Sequence, residues 1–402
     1  MIAGEALDVT VGAPAHGGFV IGRVDGRVVF VSGALPGETV RATVTEVKSS
    51  FARAVTVDVL DPSPQRVPQA CAAAAAGAGC CDLTHAEPAY ARRLKSDVLA
   101  DALRRIGRFA EPPGGFDGTV AEVTDGLVAG WRHRTRLALS DDGRLGWHAA
   151  RSATVIPSLD CRQLPAALIA GLPARVDASG GLHEVVVALD DAGTRHAVLA
   201  VGSKQGGWAA EQVLDGSGIA RQHAGGHDYE MPVTAFWQAH RDAVARYSEL
   251  IARWVPDGSG HAWDLYGGAG VFGAVLAERG TRVDVVETAA DAVRAGRKAL
   301  RGTPVTFHRR PVDKVVASLQ RPDAVILDPP RAGAGAKVIR AIADATPATI
   351  VHIGCDPASF ARDLQLLREH GYGVREMVAL DAFPGTHHFE CLALLEPGEA
   401  SP

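Results

Sequence analysis

From about residue 230 onward, apolar runs of strand length alternate with helical stretches, and four of the runs end on residues with chemistry to offer. Trp263-Asp264-Leu265-Tyr266 leads into Gly267-Gly268-Ala269-Gly270, and Thr281-Arg282-Val283-Asp284-Val285-Val286 ends on Glu287. Ala324-Val325-Ile326-Leu327 ends on Asp328, and Thr349-Ile350-Val351-His352-Ile353 passes through Gly354 to Cys355. Few folds tolerate this alternation. Parallel strands need crossovers, and helices supply them, so residues 229–402 read as an α/β domain built on a doubly wound parallel sheet. Ligands bind such sheets beyond the carboxyl ends of the strands. Glu287, Asp328 and Cys355 all fall there.

The rest of the chain has a different grammar. Residues 1–62 are short β runs broken by Gly and Pro, such as Gly17-Gly18-Phe19-Val20-Ile21-Gly22 and Arg27-Val28-Val29-Phe30-Val31, which suggest a small barrel. Pro62, Pro64 and Pro68 mark a linker. Residues 63–228 form a second region, mostly β. A cysteine-bearing stretch opens it, a helix follows from about Pro88 to Ile106, and residues 117–225 alternate apolar and polar as an antiparallel sheet does. A chain of 402 residues can bury two or three separate cores. Its apolar runs are too short to span a membrane, and Met1-Ile2-Ala3-Gly4-Glu5 lacks the form of a secretion signal. The expected setting is the cytoplasm, where six cysteines point to thiols or metal rather than disulfides.

The glycine turn after Tyr266 lets a ligand approach backbone, and the helix opening at Val271 offers free N–H groups. Dinucleotide-binding folds use a related turn, and so does an ordinary α/β connection. Glu287 lies about 20 residues past the turn, where an acid accepts ribose hydroxyls. Asp328-Pro329-Pro330-Arg331 follows. Similar loops hold the target amino group in N-methyltransferases, so the motif leaves the acceptor atom open. Cys355 discriminates. Methylation at nitrogen needs no thiol, whereas C5 of a pyrimidine becomes nucleophilic only after C6 has been attacked. Glu390, in Thr386-His387-His388-Phe389-Glu390, is a carboxylate for removing the C5 proton. The plainer readings are a buried inert thiol at Cys355 and a surface acid at Glu390.

With these residues in view, the chain resembles the bacterial RNA uracil-C5 methyltransferases, most of all the 23S rRNA enzymes that carry a TRAM domain. Residues 1–62, through the run from Gly17 to Glu38, look like a TRAM barrel of OB-like form, an RNA-binding module, and residues 229–402 look like a class I, Rossmann-like methyltransferase domain. The resemblance implies S-adenosylmethionine as methyl donor. It implies that Gln238, in Phe236-Trp237-Gln238, and Tyr266 contact the donor, that Val271 does so through backbone, that Glu287 holds the ribose and that Asp328 lines the site between donor and base. It makes Cys355 the nucleophile and Glu390 the general base. RNA is then the partner, 23S rRNA first and tRNA second, with no protein partner and no membrane implied.

The related rRNA enzymes carry a four-iron, four-sulfur cluster on a C-x5-C-x2-C run and one distant cysteine. Cys71, Cys80, Cys81 and Cys161 are the candidate ligands here, although Ala78 stands where the second cysteine is expected. Zinc on the same thiols and a degenerated site of reduced thiols are the alternatives. The net charge of -5 argues against a globally basic RNA binder. Two local patches suggest phosphate contacts: Arg92, Arg93, Lys95, Arg104, Arg105 and Arg108 in the helical stretch, and Trp131-Arg132-His133-Arg134-Thr135-Arg136. An RNA-binding or ribosome-assembly factor without catalysis is the competing reading from another class.

Overall fold

The computed structural model describes residues 1–178, 182–202 and 208–398. The first five strands are β1 (Ala6–Ala15), β2 (Phe19–Val24), β3 (Arg27–Ser32), β4 (Thr39–Val47) and β5 (Phe51–Asp61), and they close into a barrel in the order β1-β2-β3-β5-β4. The closure is built from alternation. Val9, Val11, Val29, Val31, Val40, Ala42, Val44, Ala52 and Ala54 point inward and are buried. The β2–β3 hairpin turns on Asp25 and Gly26, both at positive φ, the geometry that matches strand twist in a two-residue loop. Glu38, fully buried, fastens the barrel to the linker by accepting from Arg66 at 2.6 and 2.7 Å.

The helix after the linker spans Pro88–Arg105. Proline opens it, and the Glu87 carboxylate accepts from Tyr90 N–H at 2.8 Å, satisfying one of the free donors of the first turn. A short strand, β6 (Val120–Glu122), follows. Strands β7 (Arg134–Leu139), β8 (Leu145–His148), β9 (Val155–Ile156), β10 (His183–Leu189), β11 (Arg195–Gly202) and β12 (Trp208–Asp215) then form an antiparallel sheet in the order β12-β11-β10-β7-β8-β9. A separate hairpin, β13 (Ile219–Ala224) and β14 (His227–Pro232), leads out of this region.

The C-terminal sheet has eight strands. Its parallel part comprises β15 (His261–Leu265), β16 (Arg282–Val286), β17 (Val305–His308), β18 (Ala324–Leu327) and β19 (Thr349–Gly354), and β20 (Tyr372–Asp381) and β21 (Glu390–Pro397) complete it in the order β17-β16-β15-β18-β19-β21-β20-β6. Both faces are covered. One packs on the helices Ala243–Trp254, Val271–Ala277 and Ala290–Ala299. The other packs on Pro88–Arg105, Gly335–Ala345 and Pro357–Glu369. Burial on both faces explains why β15, β18 and β19 read as nearly unbroken apolar runs.

One segment departs from the sequence-based expectation. Val120–Glu122 does not join the antiparallel region but pairs in parallel with β20, as Ala379 opposite Val120 and Asp381 opposite Glu122. The Pro88–Arg105 helix goes with it, burying Leu99 and Leu103 in the C-terminal core. Three residues are too few to show a period, so the strand carried no signal of its own.

Candidate active site

β19 and β21 run antiparallel, with Ile350 opposite Leu395 and Gly354 opposite Cys391. One step further, that register sets Cys355 opposite Glu390. Cys355 is stopped there by its neighbour. Asp356 caps the Pro357–Glu369 helix, accepting from Ala358 N–H at 3.1 Å and Ser359 N–H at 2.9 Å, and the proline at the first helical position fixes the turn. His16, from the β1–β2 turn of the barrel, reaches Asp356 at 3.2 Å.

Electrostatics tie Cys355 and Glu390 to Asp328. Glu390 is 6% exposed, and burial, then the nearby Asp328 charge, pushes its carboxyl well above the ordinary range, with Arg331 opposing. Burial and then Glu390 push the Cys355 thiol up to about 12, again with Arg331 opposing. Asp328, at the end of β18, is raised to about 6 by burial. Burial thus disfavours the charged form of both groups. Tyr247, on the Ala243–Trp254 helix, is wholly buried and feels Glu390, Asp328 and Cys355. Its hydroxyl has no hydrogen-bond partner among the described residues. Sequence reasoning missed Tyr247 because a tyrosine on an amphipathic helix looks like core.

The glycine turn forms a cradle at the ends of β15 and β16. Tyr266 sits at φ 62, an uncommon region for a bulky residue, and its N–H donates to Val286 O at 2.9 Å. A Cβ on Gly267 would lie 2.5 Å from the Asp264 carboxyl, so that site admits only glycine, whereas Gly268 faces open space. Glu287 accepts from Gly268 N–H at 3.1 Å and Ala289 N–H at 2.7 Å, which aims its carboxylate over the turn. Asp264, wholly buried, accepts from Gly273 N–H at 2.9 Å and keeps its other oxygen unpaired, and burial raises it to about 7. Val271 opens the following helix with its side chain in the core. Gln238 is half-buried, and its backbone oxygen meets the His133 ring at 2.9 Å. The open turn, the oriented carboxylate and the orphan oxygen suit a nucleoside-bearing donor.

The loop that carries Glu390 is clamped from three directions. Leu83 N–H donates to Gly385 O at 3.0 Å, and His387 N–H donates to Asp82 at 2.8 Å, while the His387 ring pairs with the same carboxylate. Lys95, 2% exposed, meets Asp381 at 2.6 Å and Phe383 O at 3.2 Å. Trp131 Nε1 donates to Pro384 O at 3.3 Å.

Comparison with known proteins agrees with this geometry. A TRAM domain family model matches residues 3–57, and a tRNA (uracil-5-)-methyltransferase family model matches residues 306–397. An uncharacterized RNA methyltransferase of Corynebacterium glutamicum is 41% identical over 97% of this chain and 97% of its own length. A 23S rRNA (uracil(1939)-C(5))-methyltransferase of Shewanella baltica is 30% identical over 97% of this chain and 95% of its own length. The chain belongs to the RNA uracil-C5 methyltransferases. The crystal structure of the Pyrococcus abyssi tRNA (uracil-54, C5)-methyltransferase with S-adenosyl-L-homocysteine shares the fold of this methyltransferase, with a TM-score of 0.73 over 96% of this chain and 99% of that one, at 22% identity. As a member of this family, the methyltransferase depends on S-adenosylmethionine and acts on RNA. None of its helices, among the described residues, is long and apolar enough to cross a membrane.

One expectation needs correction. Trp131–Arg136 is not an open cationic face. Arg134 donates to Val233 O at 2.8 Å, and burial lowers it to about 9, while Arg132 donates to Gln163 at 2.7 Å. Alternation along β7 buries Thr135 and Leu137, while Arg134 is half-buried on the other phase and Arg136 stays exposed. The fold also brings the four candidate metal ligands together. Cys71, Cys80, Cys81 and Cys161 converge, with all four sulfurs within 4.8 Å of one another.

Proposed function

We propose that the enzyme makes 5-methyluridine in 23S rRNA, with Cys355 as nucleophile and Glu390 as general base. The observation that carries this is the β19–β21 register, which sets a thiol opposite a buried carboxyl beside Asp328. The relative from Shewanella baltica supports the choice of RNA.

Gln238, Tyr266, Glu287, Asp328 and the backbone at Val271 would hold S-adenosylmethionine, which supplies an electrophilic methyl group when bound. Cys355, as thiolate, forms a bond from Sγ to C6 of the uracil, and the displaced electron pair makes C5 nucleophilic. C5 gains the methyl group. Glu390, as carboxylate, takes the C5 proton, and the electrons of that C–H bond restore the C5–C6 double bond as the C–S bond breaks. The base must leave its stack to reach a pocket this deep.

The test is mass spectrometry after incubation of the enzyme with S-adenosylmethionine and 5-fluorouridine-substituted 23S rRNA. Fluorine cannot leave C5 as a proton does, so an adduct mapped to Cys355 is expected. Methyl transfer to normal RNA without any adduct would remove Cys355 from this role. An adduct with substituted tRNA and none with 23S rRNA would move the substrate to tRNA.

A further inference from the structure

We propose that Tyr247 is a positioning residue for the base: its hydroxyl donates to the Glu390 carboxylate while that group takes the C5 proton. The inference rests on the base role proposed above for Glu390. Ile326, Ile353 and Leu392 lie in one core layer with Tyr247. Asp328 and Cys355 come two positions after Ile326 and Ile353, and Glu390 comes two positions before Leu392. Residues two apart along a strand share a face. Asp328 N–H still donates to Leu265 O at 3.2 Å, so the ladder runs on through it. All three groups of the site leave the sheet on the side that Tyr247 covers, whereas Val325, Leu327 and Cys391 belong to the opposite layer.

The hydroxyl is not explained by packing. Tyr247 belongs to the buried stripe of its helix with Ala243, Leu250, Ile251 and Trp254, and its ring meets Phe272 at 6.1 Å. A phenylalanine would fill that place as well. The added hydroxyl is buried and has no partner among the described residues. Buried hydroxyls nearly always find one. Tyr372 shows the usual case, donating to Pro347 O at 3.0 Å. Tyr229 also lacks a partner, but the charges near it are Asp264 and Glu278, away from Cys355. Tyr247 instead feels Glu390 most strongly among charges, then Asp328 and Cys355. Burial and these charges hold its hydroxyl well above the ordinary range, so it stays a donor.

Glu390 has use for such a donor. Asp328, Cys355 and Cys391 stand beside it and work against a negative charge there, while Arg331 works for it. A neutral O–H favours the carboxylate form by hydrogen bonding to it. The phenol keeps its own proton throughout. The C5 proton goes to the Glu390 oxygen that Tyr247 does not hold, so Tyr247 orients the base and transfers nothing itself.

The test is Tyr247→Phe in the full chain, in single-turnover reactions of 23S rRNA with S-adenosylmethionine, with protein–RNA adduct and methylated product followed separately. Should the trapping experiment above move the substrate to tRNA, tRNA replaces the 23S rRNA. Adduct should form as in the unaltered enzyme, while its breakdown to product slows about tenfold or more. The deficit should deepen as pH falls, with the acid limb of breakdown moving up by about one unit, because a carboxylate without its donor keeps a proton to higher pH. The denaturant midpoint should hold or rise, since the folded enzyme loses only an unpaired hydroxyl. A fluorinated tyrosine in place of Tyr247 has a more acidic hydroxyl and should move the acid limb the other way; it decides the matter alone if Tyr247→Phe does not fold. Unchanged breakdown in Tyr247→Phe would overturn the proposal. So would slower adduct formation with breakdown intact, which would make Cys355 the group served, and so would a lower midpoint with both steps slowed alike, which would make the role one of packing. Glu390→Gln separates the two readings. Normal turnover there would overturn the base role itself, whereas trapped adduct there with normal breakdown in Tyr247→Phe would overturn this inference alone.

Discussion

Burial raises both the Cys355 thiol and the Glu390 carboxyl, and the raised thiol gives the proposed reaction its pH signature. With the thiol raised to about 12, the thiolate fraction grows with every step in pH. Adduct formation with fluorouridine RNA should therefore accelerate between about pH 6 and about pH 9 without levelling; a plateau within that range would mean the thiol is ionised by another group. Glu390→Gln should attack and methylate but fail to lose the C5 proton, so protein–RNA adduct should accumulate on normal RNA. Unchanged turnover in that variant would give the proton to another base. Asp264 offers a stability test. Its folded value of about 7 lies above the ordinary 3.8, so its contribution is complete below about pH 4 and fades as pH rises through about 7. Asp264→Asn should gain on the unaltered protein over that window, by up to about 1.4 kcal/mol per unit, in denaturant titrations. Cys355, Glu287 and Asp328 were legible because each ends a strand. Tyr247 was not, since only the folded pocket shows that its hydroxyl lacks a partner.

At the scale of elements, the clamp on the loop before Glu390 is the part with the clearest consequence. Asp82 gives that loop a backbone and a ring contact, both away from the donor cradle. The pair is half-buried, and a hydrogen bond to a charged group is worth about 1.5–3 kcal/mol. Asp82→Ala should lower turnover about tenfold or more while leaving S-adenosylmethionine affinity in calorimetry unchanged. It should also raise the ratio of trapped adduct to product, because Cys355 lies on a different loop. A parallel loss of adduct and product would point to general unfolding instead. The barrel and the central antiparallel sheet could be read from their alternation, and the Pro88–Arg105 helix from its leucine spacing. The clamp could not, because Asp82 and His387 stand 305 positions apart. The four cysteines of the central region were legible as candidate ligands, and the fold brings them together.

Across the whole molecule, the C-terminal sheet is not made by the C-terminal region alone. A fragment of residues 229–402 would leave the β20 edge unpaired and would bare the apolar surface covered by Leu99 and Leu103. Such an edge invites association. The fragment should aggregate and fail to bind S-adenosylmethionine, whereas residues 63–402 should remain monomeric and bind it, as light scattering and calorimetry would report. A soluble, donor-binding 229–402 fragment would show that β6 and its helix are dispensable. The position of β6 also has a bearing on the order in which the protein matures. During synthesis the barrel can close as soon as it leaves the ribosome, because its strands are neighbours in the chain. Val120–Glu122 must wait until nearly all of the remaining chain has been made before β20 exists to receive it, so the last strand to find its place was among the first to be translated.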